Sequence, residues 1–149
     1  MNRFVKLLLG LAFLILLAAA VPAFGKPGPL EEPRLVLLSF DTASTSEGVW
    51  EGTVSGDLTG SIRTERTGMR TVGPLGFAEV TWIVDAGGQS FTAEAEGTFN
   101  SLTGTSVMTG EVVEGSRVGA TVYEQGQMIE PESGRLVGTI LLVDWVEVR

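Results

Sequence analysis

Beyond residue 33, apolar and polar side chains alternate with a period of two, and this alternation constrains the fold more than any other feature of the sequence. The clearest segment spans residues 90–99, in which one set of alternate positions holds Phe91, Ala93, Ala95, Gly97 and Phe99. Successive side chains of a β-strand point to opposite faces, so the pattern predicts a strand with one buried face. Helical periodicity is hard to find in this part of the chain.

The same pattern predicts about eight strands. The other seven lie near residues 34–40, 49–55, 58–65, 77–85, 102–113, 117–124 and 135–148. Several are separated by turn-forming pairs, namely Gly56-Asp57, Gly87-Gly88, Asn100-Ser101 and Gly115-Ser116. Short turns join antiparallel neighbours, and closing the sheet removes its unpaired edges. We therefore predict an all-β domain over residues 34–149, an antiparallel closed barrel of about eight strands. A β-sandwich is the alternative.

Glycines within the predicted strands also favour a barrel. They are Gly52, Gly60, Gly97, Gly104, Gly110 and Gly138. Glycine weakens a strand unless the backbone bends sharply there or another group comes close, and barrel corners require such bends. The last predicted strand is apolar on both faces, as expected for a strand sealed between two neighbours.

The N-terminal segment resembles an export signal. Two basic residues precede an apolar run over residues 7–21, and small residues follow at Ala23 and Gly25. This arrangement predicts a helical signal peptide over residues 1–25, cleaved after Ala23 or Gly25, and a secreted or periplasmic protein. An uncleaved membrane anchor is the alternative, although the run is shorter than a typical span. The proline-rich residues 26–33 are predicted to form a linker.

Composition excludes several functions. The chain has no Cys and no His. It therefore cannot form disulfides, thiolate or imidazole metal sites, or His-based catalytic triads. Without Arg3 and Lys6 of the signal segment, 8 basic residues face 18 acidic ones, a net charge of −10. Such a charge disfavours nucleic acid and anionic lipid as partners. We expect no metal, no cofactor and no stable membrane insertion after signal cleavage.

The inward face of the predicted barrel supplies the candidate binding residues. Aromatic and other apolar side chains assigned to it include Trp50, Trp82, Phe91, Phe99 and Met108. An eight-stranded barrel is just wide enough to be filled by its own side chains, and a filled core is the favoured interpretation. The alternative is a cavity for one small apolar ligand.

Two charged residues complete the candidate ligand-binding set, and no catalytic residue is predicted. Asp144 is in phase with Ile140 and Leu142, so its carboxyl group either faces inward or lies at the barrel mouth in water. Arg63 is the candidate cationic side chain. The remaining acidic side chains are expected on the solvent-exposed outer face, because unpaired buried carboxylates are costly.

The Gly-Thr texture of residues 97–104 and 110–112, together with the signal segment and the succession of short strands, is similar to the allene oxide cyclase and dirigent barrel superfamily. The resemblance implies an eight-stranded barrel with an apolar cavity. In that group some members guide the cyclisation or coupling of a reactive intermediate. No motif matches closely enough to transfer catalytic residues, and a shared fold is a weak guide to activity.

Three functions are compatible with these features. The first is an exported barrel acting as a non-catalytic binding or structural module for a small apolar molecule or a protein partner. The second is a cyclase-type enzyme that steers a substrate in an apolar cavity without His or Cys. The third is an inhibitor or adhesion domain that uses polar loops over residues 42–48 and 127–134.

Overall fold

The computed structural model describes residues 31–147, with side chains described for residues 32–146. The predicted signal peptide over residues 1–25 and the predicted linker up to residue 30 lie outside the described residues. Within residues 31–147, no helix has the length and apolar character needed to span a membrane.

The described chain is an all-β closed barrel of eight antiparallel strands, each hydrogen-bonded to its neighbours in sequence and the last to the first. This confirms the predicted class and decides for the barrel over the sandwich. The strands are β1 (Glu31–Ser46), β2 (Val49–Gly56), β3 (Gly60–Val72), β4 (Leu75–Asp85), β5 (Phe91–Asn100), β6 (Thr105–Gly115), β7 (Thr121–Glu130) and β8 (Arg135–Glu147). A 3₁₀ turn over Gly87–Gln89 lies between β4 and β5.

The barrel is sealed by its longest strand. In the register of β1 and β8, Glu31 lies opposite Glu147 at one end and Thr42 lies opposite Leu136 at the other. Both edges that a sheet of eight strands would otherwise expose are thereby paired. The apolar character of β8 on both faces agrees with its position between β7 and β1.

Two strands begin three and four residues later than the predicted starts near residues 102 and 117, because turn chemistry overrides the alternation there. The side chain of Asn100 accepts hydrogen bonds from the backbone N–H groups of Leu102 (3.0 Å) and Thr103 (3.3 Å), which ends β5 in a tight turn. Strand β6 therefore begins at Thr105. Arg117 has a φ of 65°, a conformation incompatible with a strand, and lies in the turn before β7.

Most residues of the two polar loops proposed for an inhibitor or adhesion domain belong to strands. Strand β1 continues to Ser46, so only Glu47 and Gly48 separate it from β2. Strand β7 continues to Glu130, which leaves a four-residue turn before β8. Loops this short offer little surface of their own, and the structure gives the third function no support.

Five of the six glycines predicted inside strands lie where two strands come close. At Gly52, Gly60, Gly97, Gly110 and Gly138, a Cβ atom would overlap a backbone carbonyl oxygen of the neighbouring strand. A side chain there would push the strands apart, so these glycines permit the tight coiling of a small barrel. The sixth, Gly104, lies in the turn before β6 instead.

The interior divides along the barrel axis into two halves. We call one the filled half, because its inward side chains are almost completely buried and pack against each other: Val36, Leu38, Val54, Leu58, Val84, Phe91, Val112, Ala120, Val122 and Leu142. The hollow half lies toward the end formed by the β3–β4 and β7–β8 turns, and it contains a cavity. Acidic side chains such as Glu94 and Glu96 alternate with the inward residues and are exposed on the outer face.

Candidate functional site

The cavity of the hollow half has a volume of about 190 Å³, and all eight strands contribute to its wall. Most of the wall is apolar. Four aromatic rings (Phe40, Trp50, Trp82 and Phe99) and three methionines (Met69, Met108 and Met128) are joined by Ile62, Ala78, Val80, Leu136 and Ile140. The polar groups are Thr64, Arg66, Ser106 and Glu124. The expectation of a filled core therefore holds for one half of the barrel and fails for the other.

Exposure along the wall shows which end leads to solvent. Ile140 and Trp82 are 1% and 3% exposed and form the deep part of the cavity. Met69, near the end of β3, is 47% exposed, and Met128 and Leu136 near the β7–β8 turn at the same end of the barrel are partly buried. The mouth of the cavity is therefore at the end of the barrel where β3 ends and β8 begins.

Glu124 is the one acidic side chain in the cavity wall, and it is 5% exposed. Its Oε1 accepts a hydrogen bond from the Ser106 hydroxyl at 2.7 Å. Its Oε2 is buried and has no hydrogen-bond partner among the described residues. Burial raises the pKa of this carboxyl group to about 7, although the hydrogen bond from Ser106 acts in the opposite direction. The group therefore changes protonation state near neutral pH.

Gly126 makes room for this carboxyl group. It lies two residues after Glu124 on the same face of β7 and directly opposite Ser106 on β6. A Cβ atom at this position would overlap both Oε1 of Glu124 and the hydroxyl oxygen of Ser106. The absence of a side chain at residue 126 therefore lets the Glu124–Ser106 hydrogen bond form inside the barrel.

Two nitrogen donors share the same half of the barrel. The indole Nε1 of Trp50 is buried and lacks a partner within the described part of the chain. The guanidinium of Arg66 lies at the mouth, where it is partly exposed and forms a long ion pair, 3.8 Å, with the exposed Glu47. A β-bulge after Arg66 shifts the register between β3 and β4 at this point.

The structure brings together four of the seven predicted ligand-binding residues. Trp50, Trp82, Phe99 and Met108 all line the cavity. Phe91 also faces inward, but it is 2% exposed and packs in the filled half.

The two charged candidates lie elsewhere. Asp144 is on the inward face at the far end of the filled half, where one carboxylate oxygen lies 3.6 Å from Arg117 Nη1. Arg63 is on the outer face, half exposed, and pairs with Glu51 and Glu65. Neither side chain lines the cavity, and they do not contact each other.

Glu124 is the functional candidate that sequence reasoning missed. The expectation that the acidic residues lie on the outer face is wrong for this one. The signal was present, because Glu124 is in phase with Val122, an apolar residue of the predicted strand over residues 117–124 that is buried in the structure. It lay at the end of a predicted strand, where an inward charge is usually solvated.

The site suits the binding of a compact apolar molecule with a polar group that meets the buried carboxyl and indole groups. Its apolar wall is typical of small-molecule sites, which combine an apolar lining with a few polar groups that orient the ligand. No group of three or more acidic side chains within residues 31–147 is arranged to hold a metal ion.

Comparisons of this chain with protein-family models, with curated proteins and with solved structures found no match. The function proposed for the barrel therefore depends on the geometry and chemistry of the cavity itself.

Proposed function

We propose that this protein is an exported β-barrel that binds one small apolar molecule in the cavity and does not transform it. The observation that carries the proposal is the 190 Å³ cavity with its almost wholly apolar wall. A dry apolar cavity of roughly 150 Å³ is enough to bind benzene. Sites for drug-sized ligands begin at roughly 300 Å³. The ligand is therefore small, with about ten non-hydrogen atoms.

The composition of the wall favours reversible binding. Met69, Met108 and Met128 are all the methionines of the chain beyond the initiator, and all three line the cavity. Methionine side chains are flexible and polarizable, so they adjust to ligands of different shape and make favourable contacts with aromatic rings. A wall of methionines and aromatic rings accepts a range of compact apolar molecules.

Intrinsic fluorescence provides a direct test. The chain has three tryptophans, of which Trp50 and Trp82 line the cavity and Trp145 is exposed on the outside. In the Trp145→Phe variant, the remaining emission comes from the cavity alone. Titration with indane, a compact hydrocarbon of suitable size, is expected to change this emission saturably.

The matched control fills the cavity without altering its polar groups. Ala78 lies in the wall and is buried, so Ala78→Leu directs additional carbon atoms into the cavity. In the Trp145→Phe background this variant is expected to fold and to lose the response to indane. An equal response in both proteins would show that indane binds elsewhere and would contradict the proposal.

A second candidate is the cyclase-type enzyme implied by the resemblance to the allene oxide cyclase and dirigent superfamily. The specific observation in its favour is Glu124, a buried ionisable group in an apolar cavity, which is the kind of residue that acts as an acid or base. The two candidates differ in what happens to a bound compound. Mass spectrometry after prolonged incubation with any ligand found by titration is expected to recover it unchanged, whereas Glu124-dependent conversion would favour the enzyme.

Export is also part of the proposal, and it rests on the sequence of residues 1–25. The test is N-terminal sequencing of the protein recovered outside the cytoplasm of an expressing cell. A mature chain beginning at Phe24 or Lys26 is expected. Retention of the intact N-terminus in the membrane fraction would favour the anchor instead.

A further inference from the structure

Two polar groups of the cavity wall act only as hydrogen-bond donors. Trp50 Nε1 can only donate, and the Arg66 guanidinium at the mouth can only donate. Both the Trp50 nitrogen and Oε2 of Glu124 are buried, and neither has a partner among the described residues. A buried polar atom without a partner costs free energy, so a ligand that satisfies these atoms gains affinity.

The protonation state of Glu124 decides what its free oxygen offers. The Ser106 hydroxyl donates to Oε1, which leaves Oε2 to carry the proton of the neutral acid. In that state Oε2–H is a donor, as Trp50 Nε1–H is. In the ionised state Oε2 is an acceptor that repels the lone pairs of a ligand oxygen.

We infer that the ligand of this cavity is a compact neutral molecule bearing a hydrogen-bond acceptor, such as a ketone, aldehyde or ether oxygen, which is held by the neutral Glu124 carboxyl group, with the Trp50 indole as a second donor in the same wall. The inference rests on the proposed binding function and specifies the chemistry of its ligand. An amine is disfavoured while Glu124 is neutral, because an ammonium group then has no anion to pair with in the cavity wall and faces the Arg66 guanidinium. A carboxylic acid is disfavoured, because its ionised form would bury a charge against an almost wholly apolar wall.

Binding of such a ligand is coupled to the protonation of Glu124. The inward side chains on the strands that flank Glu124 are uncharged: β6 presents Ser106 and Met108, and β8 presents Ile140. Across the cavity, β3 presents Arg66, the one cationic side chain in the described wall. Since no neighbouring acid or base on the flanking strands titrates with it, Glu124 alone sets the pH dependence of binding.

The expected magnitude follows from the fraction of protein in the neutral form. With the pKa of Glu124 at about 7, nearly all of the protein carries the neutral, binding-competent Glu124 at a pH of about 5.5. At a pH of about 8.5 this fraction is about 3%. The apparent Kd of an acceptor ligand is therefore expected to rise by up to roughly 30-fold between these two conditions. The Kd of a hydrocarbon of the same shape is expected to change little.

The experiment compares three molecules of one shape by calorimetry on the full chain: indane, 1-indanone and 1-aminoindane. We expect 1-indanone to bind more tightly than indane at low pH and to lose this advantage at high pH. Glu124→Gln keeps a neutral donor in place, so it is expected to bind 1-indanone at both pH values with the same Kd. Glu94→Gln removes one acidic residue from the outer face and is expected to behave like the parent protein.

The outcomes separate the inference from the function it depends on. If none of the three molecules binds, both are overturned. If indane and 1-indanone bind equally at every pH, or if the amine binds best, the cavity is a binding site but the assignment of an acceptor ligand is wrong. Trp50→Phe provides a second measurement in case Glu124→Gln fails to fold. It is expected to weaken binding of 1-indanone several-fold more than binding of indane.

Discussion

The two halves of the barrel interior each contain one inward carboxyl group, and the partners of these two groups differ. In the filled half, Asp144 lies 3.6 Å from Arg117, a side chain that is 8% exposed and also donates to Gln89 of the 3₁₀ turn at 2.9 Å. In the hollow half, Glu124 accepts a hydrogen bond from a serine hydroxyl and forms no ion pair among the described residues. The pair of Asp144 and Arg117 helps to close one end of the barrel. A buried carboxyl group without a cationic partner instead has a raised pKa and remains available to a ligand.

Side-chain packing also differs between the filled half and the hollow half. Leu142 and Leu136 lie on the same face of β8, one in each half. Leu142 is 0% exposed among other apolar side chains, whereas Leu136 borders the cavity and is partly buried. The filled half therefore supplies more of the packing energy, and the hollow half provides the space for binding.

The largest expected effect comes from shortening these two leucines. Leu142→Ala removes a fully packed side chain and is expected to lower the free energy of unfolding by about 2 to 5 kcal/mol. Leu136→Ala enlarges an existing cavity and is expected to cost less than half as much, because fewer contacts are lost. Chemical denaturation of both variants measures the difference. Equal losses would contradict the division into two halves.

Glu124→Gln is expected to have the next largest effect, and only at higher pH. Between the ordinary pKa of 4.5 and the folded pKa of about 7, the folded chain holds a proton that the unfolded chain has released. The free energy of unfolding therefore decreases as pH rises through this window and is level above it. Above pH of about 7 the variant is expected to be more stable than the parent by roughly 3 kcal/mol, with no difference near pH 4.

The control for this experiment is Glu94→Gln, because Glu94 is an exposed acid on the outer face of β5. Its stability is expected to follow that of the parent protein across the same pH range. If Glu94→Gln reproduced the gain, the effect would come from lowering the net charge of the protein and not from the buried carboxyl group.

A smaller effect is expected from Arg117→Met, which keeps an apolar stem and the backbone position but removes the guanidinium. Loss of the contacts to Asp144 and Gln89 is expected to lower the free energy of unfolding by about 1 to 2 kcal/mol, since both partners are only partly shielded from water. Ligand binding in the opposite half is expected to be unchanged. A loss of indane binding would show that the halves are coupled.

The smallest effect is expected on the outer surface. Arg135 forms two hydrogen bonds with Asp41, at 2.9 and 2.7 Å, and these hold the pKa of Asp41 below its ordinary value of 3.8. The pair therefore stabilises the fold above pH of about 4, and this contribution is lost on further acidification. Because both groups are solvated, the thermal midpoint of Asp41→Asn at neutral pH is expected to lie close to that of the parent. A large drop would assign these residues an unexpected structural role.

The local sequence pattern was sufficient to predict an antiparallel all-β domain, and it favoured a barrel over a sandwich. Alternation in segments such as residues 90–99 identified the strands and their inward faces, because the side-chain period of a strand is two. Glycines such as Gly52 and Gly110 indicated where strands come close, since only glycine fits beneath a neighbouring carbonyl group. The same assignment gave four candidate binding residues that line the cavity, namely Trp50, Trp82, Phe99 and Met108.

Tertiary structure alone decided which half of the interior is hollow and where each charge lies. Arg63 and Glu124 are both charged residues in strands, yet one lies in solvent among acids and the other faces the cavity. The volume of the cavity depends on how side chains from all eight strands pack around one axis, and a local sequence pattern does not specify this packing. Alternation determines the face on which a residue lies, whereas packing determines whether the space in front of it is filled.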